Sequence, residues 1–330
     1  MKQILEKLYR HETFTSDESR KILIDIASGV YNNYQVASFL TTFIMRNITL
    51  DELKGFRTAL LELAIPINLG EYDPIDLCGT GGDGKNTFNI STLSSFVVAG
   101  AGISVAKHGN YGVSSISGSS NVLEALGVQF ETTQDGLKRQ MDTANISFLH
   151  APLFHPALKH VAQVRKELGV KTFFNMLGPL VNPARPKKQL TGVFNLELAR
   201  LYQYLLEEEG VQFSIVHALD GYDEISLTGD AKVLTNRQQL VLSPKDFGFA
   251  VQSPESIYGG DTIKEAAQLF LNILEGKGTK EQNNVVLANS ALAIQIAKPE
   301  KDLLTAVEIA KDSLFNQKAL DKLNLLKQTK

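Results

Sequence analysis

Residues 76–86 read DLCGTGGDGKN, a glycine-rich turn that follows a short apolar run. After it come the polar groups of Thr87, Asn89, Ser91 and Thr92, where a helix is expected to begin. Glycine permits positive φ and close approach of a ligand, and a helix N-terminus offers unpaired N–H donors and a favourable dipole. The stretch therefore predicts a strand-turn-helix unit of an α/β fold that binds a pyrophosphate-like anion.

Dinucleotide binding is an alternative interpretation of the same letters. Gly79, Gly81 and Gly84 fit the spacing G-x-G-x-x-G after a strand. That motif needs an acidic residue about 20 positions later to bind a ribose hydroxyl. The next predicted strand instead ends at Lys107 and His108, which argues against a dinucleotide.

Two further alternatives remain for the turn. The P-loop pattern uses Gly79, Gly84 and Lys85, but Asn86 stands where a magnesium-binding hydroxyl is required. Asp83 would also place a negative charge in the phosphate cradle. An ordinary turn with a helix N-cap is the purely structural alternative.

Composition describes an ordinary globular protein. The chain has 330 residues, enough for one large domain and a smaller one, with 43% apolar and 21% charged residues. Its net charge of −3 and the lack of basic runs argue against a nucleic-acid interface. No apolar segment approaches a membrane span, and the single cysteine, Cys78, indicates a reducing, cytoplasmic location.

The amino-terminal part is predicted to be helical. Capping-box pairs occur at Thr15 and Glu18, Asn32 and Gln35, and Thr49 and Glu52, each before an apolar run of helical period. We therefore predict a small all-helical domain over residues 1–70.

Residues 71–330 change to short apolar runs separated by helical segments, which predicts a mostly parallel, helix-flanked central sheet. Segment 224–244 is expected to add an edge hairpin or antiparallel strands. The predicted strands are Ile75–Cys78, Ile103–Ala106, Val128–Phe130, Ile146–Leu149, Thr191–Phe194 and Phe213–Leu219.

Two polar segments follow predicted strands, where ligands bind in such sheets. Segment 107–120, KHGNYGVSSISGSS, offers Lys107 as a cation and a Gly/Ser run as donors, although polar loops are common. Segment 220–226, DGYDEIS, presents Asp223 and Glu224, which suit magnesium bound through carboxylates and substrate oxygens. A solvated turn is the simpler explanation of this pair.

Segment 163–184, QVRKELGVKTFFNMLGPLVNPA, carries Arg165 on a predicted helix. Arginine suits bidentate carboxylate binding, although a surface ion pair would also account for it. Four histidines, at positions 108, 150, 155 and 160, match no zinc pattern.

In this order and spacing, GTGGD, NIST, KHGN, GSSNVLEALG, VRKELGVKTFFNMLGPLVNPA and DGYDEISLTG resemble the anthranilate phosphoribosyltransferase family over nearly the whole chain. The resemblance implies a fold of the nucleoside phosphorylase/phosphoribosyltransferase type, with residues 156–180 packing onto the small domain. It also implies a homodimer formed through that helical domain. The implied reaction is magnesium-dependent transfer of phosphoribose from phosphoribosyl pyrophosphate to anthranilate.

The resemblance also implies site residues. Magnesium would be held by Ser91, Asp223 and Glu224. The anthranilate site would comprise Gly79, His108, Asn110, Pro152 and Arg165. The phosphoribosyl pyrophosphate site would comprise Gly79, Gly82, Asp83, Thr87, Asn89, Ile90, Ser91, Thr92, Lys107, Ser115 and Ser119.

One residue departs from the family pattern: Tyr111 follows KHGN where the family has arginine. Tyrosine can donate one hydrogen bond but carries no positive charge, which puts that phosphate contact in doubt. Rival functions are a nucleoside phosphorylase of the same fold, a nucleic-acid-binding relative without activity, and a P-loop ATPase dependent on Lys85.

Overall fold

The computed structural model describes residues 1–112 and 116–329, which form two compact units. The helical unit comprises Met1–Pro66 and Ala151–Pro183, and the α/β unit comprises Ile67–His150 and Ala184–Lys330. The segment expected near 156–180 thus lies in the same unit as the first 66 residues. The unit limits differ by a few residues from the predicted ones.

The elements follow in chain order: α1 (Lys2–Tyr9), α2 (Ser16–Ala27), α3 (Asn33–Met45), α4 (Leu50–Leu63), β1 (Ile75–Leu77), α5 (Ile90–Gly100), β2 (Val105–Gly109), α6 (Ser119–Ala125), α7 (Gln134–Ala144), β3 (Ile146–His150), α8 (Ala151–Phe154), α9 (Lys159–Leu168), α10 (Phe174–Leu177), β4 (Lys188–Gly192), α11 (Leu196–Glu208), β5 (Gln212–Ala218), β6 (Ala231–Thr235), β7 (Gln239–Leu242), α12 (Ile263–Leu274), α13 (Lys280–Ala297), α14 (Leu303–Phe315) and α15 (Lys318–Gln328). In the described part of the chain, no helix is both long enough and apolar enough to cross a bilayer.

The three capping boxes predicted in the helical unit are confirmed. In each, the cap side chain accepts from the backbone N–H three residues on, and that residue's side chain accepts in return. The helices α2, α3 and α4 begin directly after Thr15, Asn32 and Thr49. Local polar bonding therefore fixes where these helices start.

Aromatic packing joins the two chain segments of the helical unit. The ring of Phe173 stacks on Phe56 with centroids 4.4 Å apart, and meets Phe43 edge-on at 5.2 Å. The backbone N–H of Ile65 also donates to the carbonyl of Phe154 at 2.8 Å. These contacts give the unit its own hydrophobic core.

The α/β unit is built on a seven-stranded sheet of order β3-β2-β1-β4-β5-β6-β7. The first five strands in that order are parallel, and β6 and β7 are antiparallel. This confirms the mostly parallel sheet and the antiparallel addition within residues 224–244. Helices α5 and α13 are buried along most of their length beside it.

Two strand predictions were inaccurate. Val128–Phe130 is not a strand; the N–H of Val128 donates to the carbonyl of Leu123 and closes the end of α6. The ring of Phe130 instead stacks on His150 with centroids 4.5 Å apart. The strand expected at Thr191–Phe194 begins earlier, at Lys188, because its first residues are polar and gave no apolar signal.

Strand order fixes the place of a ligand site. Strand β1 lies between β2 and β4, so the connections leave its two sides in opposite directions. In open parallel sheets this switch point opens a crevice at the carboxyl ends of the strands. The glycine turn leaves β1 at that point.

A buried ion pair organises the helical unit. The carboxylate of Glu52 is fully buried and accepts from Arg46 Nη1 at 2.9 Å and from the N–H groups of Thr49 and Phe14 at 2.9 and 3.1 Å. Burial would raise the pKa of Glu52, but the bonds from Arg46, Thr49 and Phe14 outweigh it and hold the pKa below its usual value. The carboxylate is therefore charged in the fold.

Glu52→Gln should destabilise the protein by about 3 kcal/mol, because it leaves the mostly buried guanidinium of Arg46 without its counter-charge. Glu62→Gln is the matched control: Glu62 pairs with Arg20 at 2.6 Å, but both side chains are 41% exposed. Glu62→Gln should lower the free energy of unfolding by less than about 1 kcal/mol. Urea unfolding of both variants measures the difference, and equal losses would contradict the interpretation.

Candidate functional site

The glycine turn continues the hydrogen bonding of β1 onto β4. The N–H groups of Cys78 and Thr80 donate to the carbonyls of Leu190 and Gly192 at 3.1 and 2.9 Å. Beyond them the backbone turns with positive φ at 62°, 77° and 76°, at the glycines in positions 81, 82 and 84. Side chains other than glycine rarely adopt such φ values, so the sequence folds this way locally because of its glycines.

The loop after β5 carries the predicted carboxylates onto this turn. Oδ2 of Asp223 accepts from the N–H of Gly81 at 2.7 Å. Oε1 of Glu224 accepts from the N–H of Ser91 in the first turn of α5 at 2.9 Å. The structure therefore brings the three predicted magnesium ligands, Ser91, Asp223 and Glu224, together.

Two glycines make room for Asp223. A Cβ on Gly79 would lie 2.6 Å from Oδ2 of Asp223, and one on Gly192 would lie 1.4 Å from its backbone oxygen. A side chain at position 192 would displace the loop backbone, and one at position 79 would displace the Asp223 carboxylate. Gly79 is thus a packing partner of the carboxylate.

The electrostatics of this cluster favour a cation. Burial, then the charge of Asp83, raises the pKa of Asp223 to about 7. Burial, then the charge of Asp223, raises the pKa of Glu224 well above its usual value. Within the described ranges, no group of three or more His, Cys, Asp or Glu side chains could hold a metal by itself. Magnesium, however, is commonly bound by one or two carboxylates together with substrate oxygens, so these oxygen donors fit it.

Lys107 lies beneath the turn. Its side chain is 2% exposed, and its Nζ donates to the carbonyl of Leu77 at the end of β1 and to Oγ of Ser91 at 3.5 Å. The predicted cation is therefore near the pyrophosphate turn but is held by protein oxygens. The next residue, His108, is buried in β2, and its N–H donates to Asp76 at 3.1 Å.

The second loop is tied to the first. Nδ2 of Asn89 donates to the carbonyl of Ser117 at 3.2 Å. The carbonyl of Asn110 accepts from Oγ of Ser119 at 3.3 Å and from the N–H of Ser120 at 3.1 Å. Asn89, Asn110 and Ser119 are thus linked through one short segment, whereas Ser115 lies outside the described residues.

Tyr111 packs on aromatic groups. Its ring meets His150 edge-on with centroids 4.7 Å apart, and Nδ1 of His150 bonds Oγ of Ser120 at 2.8 Å. Burial, then the charge of Glu124, raises the pKa of Tyr111. Position 111, where the sequence departs from the expected pattern, therefore carries a neutral side chain whose ring contacts His150.

The remaining predicted residues of the turn have local structural roles. Oδ1 of Asp83 accepts from the N–H of Lys85 at 3.0 Å, and Thr87 forms a β-bridge with Tyr258. Ile90 and Thr92 are buried in the first turn of α5, with 1% exposure each. Hydroxyl and amide groups at 87, 89 and 91 remain half-buried around the turn.

The sequence did not predict two sets of hydrogen bonds that hold backbone segments of the site in place. Nδ2 of Asn86 donates to the carbonyl of Gly260 at 2.9 Å, and the N–H of Gly259 donates back to Asn86 at 2.9 Å. Asn289 of α13 bonds both the N–H and the carbonyl of Ile225 at 3.0 and 2.9 Å, directly after the carboxylates. The paired glycines at 259 and 260 were the one signal in the sequence for the hydrogen bonds with Asn86.

Two predicted anthranilate residues belong to the helical unit. Pro152 is exposed in α8, and Arg165 is half-buried in the last turn of α9. The guanidinium carbon of Arg165 lies 5.1 Å from the centre of the Phe174 ring. Burial lowers the pKa of Arg165, and no described carboxylate forms an ion pair with it. Among the described residues, it is a partly desolvated cation without a carboxylate partner.

Comparison with known proteins shows the family to which the chain belongs. Residues 2–64 match the helical bundle domain of a glycosyl transferase family, and residues 71–320 match its a/b domain. Anthranilate phosphoribosyltransferase of Flavobacterium psychrophilum is 59% identical, with 99% of each chain covered. The chain belongs to the anthranilate phosphoribosyltransferase family. The enzyme of Bacteroides thetaiotaomicron is 54% identical over 97% of this chain and 96% of its own.

Solved structures of the family show the same fold. The enzyme of Thermus thermophilus superposes with a TM-score of 0.91, at 32% identity and 98% coverage of both chains. The Saccharomyces cerevisiae enzyme in complex with PRPP and Mg has a TM-score of 0.91, at 26% identity over 99% of this chain and 96% of its own. Another structure of the yeast enzyme contains 4-fluoroanthranilate.

Replacing Asp223 by Asn should stabilise the metal-free protein at pH 8. The pKa of Asp223 is raised from 3.8 to about 7, so wild-type stability should fall as pH rises through this range. Asp223→Asn removes that ionisation, so the variant should melt higher than wild type at pH 8 and similarly at pH 4.

Asp230→Asn is the control, because Asp230 is exposed and lies directly before β6. Thermal unfolding in chelator at both pH values makes the comparison. A lower melting temperature for Asp223→Asn at pH 8, or an equal rise in Asp230→Asn, would contradict the electrostatic account.

Proposed function

We propose that the protein transfers the 5-phosphoribosyl group from phosphoribosyl pyrophosphate to the amine of anthranilate. The products are N-(5-phosphoribosyl)anthranilate, an intermediate of tryptophan biosynthesis, and pyrophosphate. The observation that carries this proposal is the hydrogen bond from the Gly81 N–H to Asp223, which joins a pyrophosphate-type turn to a magnesium-type carboxylate pair. Family membership supports the choice of substrates.

The α/β unit would bind phosphoribosyl pyrophosphate. Backbone N–H groups of the turn, the start of α5 and nearby hydroxyls supply donors for its phosphates. We assign this role to Gly79, Gly82, Asp83, Thr87, Asn89, Ile90, Ser91, Thr92, Lys107 and Ser119, with Ser115 beyond the described residues. Ile90, being buried, would act through its backbone.

Ser91, Asp223 and Glu224 would hold magnesium. The bound ion would neutralise charge that develops on the pyrophosphate leaving group. Burial, then the charge of Asp223, raises the pKa of Glu224, and the smaller opposing effect of Lys107 does not cancel this rise. A cation therefore relieves the repulsion that the chain leaves among its own carboxylates.

The reaction needs charge stabilisation and alignment more than a strong base. Breaking the bond from ribose C1 to pyrophosphate leaves positive charge on the sugar and negative charge on the leaving group, which fixed backbone donors stabilise. The aryl amine of anthranilate is uncharged at neutral pH, so positioning can carry much of the acceleration. Gly79, His108, Asn110 and Pro152 would flank the acceptor, and Arg165 would align its carboxylate.

The direct test mixes the protein with anthranilate, phosphoribosyl pyrophosphate and magnesium and follows the loss of anthranilate fluorescence. Loss that requires all three components supports the transfer. Release of a free base from a nucleoside with inorganic phosphate would instead identify a phosphorylase. A salt-sensitive shift of nucleic acid without any transfer would identify a binding protein.

Arg165→Ala should raise the KM for anthranilate about 10- to 100-fold, the range expected when a hydrogen bond to a charged group is lost. The KM for phosphoribosyl pyrophosphate should change little. Lys166→Ala removes an exposed cation from the same helix and should leave both values near wild type. Equal increases for both substrates would contradict the role of Arg165.

A homodimer formed through the helical unit is also part of the proposal, as is a cytoplasmic location consistent with the single cysteine. Tyr34 and Met45 on α3 are 86% and 84% exposed, unusually open for apolar side chains. Light scattering should give twice the chain mass, and Met45→Glu should lower it. A monomeric wild type would remove this part of the proposal.

A further inference from the structure

Arg165 is held by neutral partners. Its Nη2 lies 3.5 Å from Oδ1 of Asn175, and its guanidinium lies over the ring of Phe174. A half-buried guanidinium normally pairs with a carboxylate, because desolvation makes an unpaired charge unfavourable. Here the described residues provide an amide oxygen and a ring face, which orient the cation without neutralising it.

The amide of Asn175 is itself fixed. Its Oδ1 accepts from the backbone N–H of Thr172 at 3.0 Å, and the backbone N–H of Asn175 donates to the carbonyl of Thr172 at 2.9 Å. A backbone N–H can only donate, so the side-chain atom that faces it must be the oxygen. The same oxygen faces Arg165, which makes Asn175 a preset acceptor.

The ring of Phe174 is anchored to the core of the helical unit. It stacks on Phe173 with centroids 4.6 Å apart, and Phe173 stacks on Phe56 at 4.4 Å. Rigid aromatic packing thus extends from the core to the guanidinium. A cation over a ring face is attracted to it while its edge N–H groups stay available.

We infer that Asn175 and Phe174 are positioning residues that keep the Arg165 guanidinium oriented and uncompensated for the carboxylate of the acceptor. The inference rests on the proposed role of Arg165. Neutrality at position 175 is its central feature: an aspartate there would pair with Arg165 and compete with the substrate carboxylate. Because Asn175 is uncharged, it would leave Arg165 available for an acceptor that carries a carboxylate.

Asn175→Asp is the decisive variant, because it keeps the acceptor for the Thr172 N–H and the size of the side chain while replacing the amide NH2 by a charged carboxylate oxygen. It should raise the KM for anthranilate at least about tenfold while leaving that for phosphoribosyl pyrophosphate near wild type. In an Arg165→Ala background, Asn175→Asp should produce no further increase. Asn33→Asp makes the same chemical change at an exposed site of the helical unit and should alter neither constant.

Phe174→Leu tests the ring independently and should also raise the KM for anthranilate, again only when Arg165 is present. Circular dichroism melts verify that each variant is folded. The inference is wrong if Asn175→Asp leaves the KM for anthranilate unchanged, raises both KM values equally, or acts equally without Arg165.

Calorimetric binding of anthranilate separates this inference from the proposed function. If wild type binds anthranilate but transfers nothing, the proposed function is wrong. The inference is then decided by the Kd for anthranilate of the Asn175 and Phe174 variants, with and without Arg165. If wild type binds no anthranilate, both fail.

Discussion

The hydrogen bond from the Gly81 N–H to the Asp223 carboxylate is the contact on which the candidate site depends. It joins the turn after β1 to the loop after β5, two strands separated in the sheet by β4. Gly79 and Gly192 line the gap, and a side chain at either would collide with Asp223. Strand order brings the two loops to one edge, and the absence of side chains lets them touch.

This contact has an electrostatic consequence. It places Asp223 and Glu224 near Asp83 in a buried setting, where the charged forms are unfavourable and their pKa values rise. Lys107 offsets only a small part of the rise in the pKa of Glu224. Such a cluster makes the folded protein less stable when no ligand is bound, a trade-off that is common at binding sites.

The sequence predicted local features of the fold and missed contacts between distant segments. Capping boxes depend on residues three apart and the glycine turn on backbone conformation, so both were found by inspection. The strand predicted at Val128–Phe130 was wrong because two apolar residues flanking a glutamine also suit a segment that closes a helix and packs an aromatic ring. Asn289 bonds the backbone of Ile225 from a helix 64 residues away, and no spacing rule connects the two. Asn175 lies within segment 163–184, yet it meets Arg165 only when the turn between α9 and α10 is formed. Side chains that orient other side chains therefore escape a motif search.

The two units present opposite electrostatic features. The α/β unit gathers carboxylates with raised pKa values, which favours a cation and, through it, a polyphosphate. The helical unit holds an arginine that no described carboxylate neutralises, which favours an organic acid. Each unit thus retains, inside its own fold, a charge that its own residues leave unbalanced. The two substrates of the proposed reaction supply the missing charges, since one brings a metal-bound diphosphate and the other a free carboxylate.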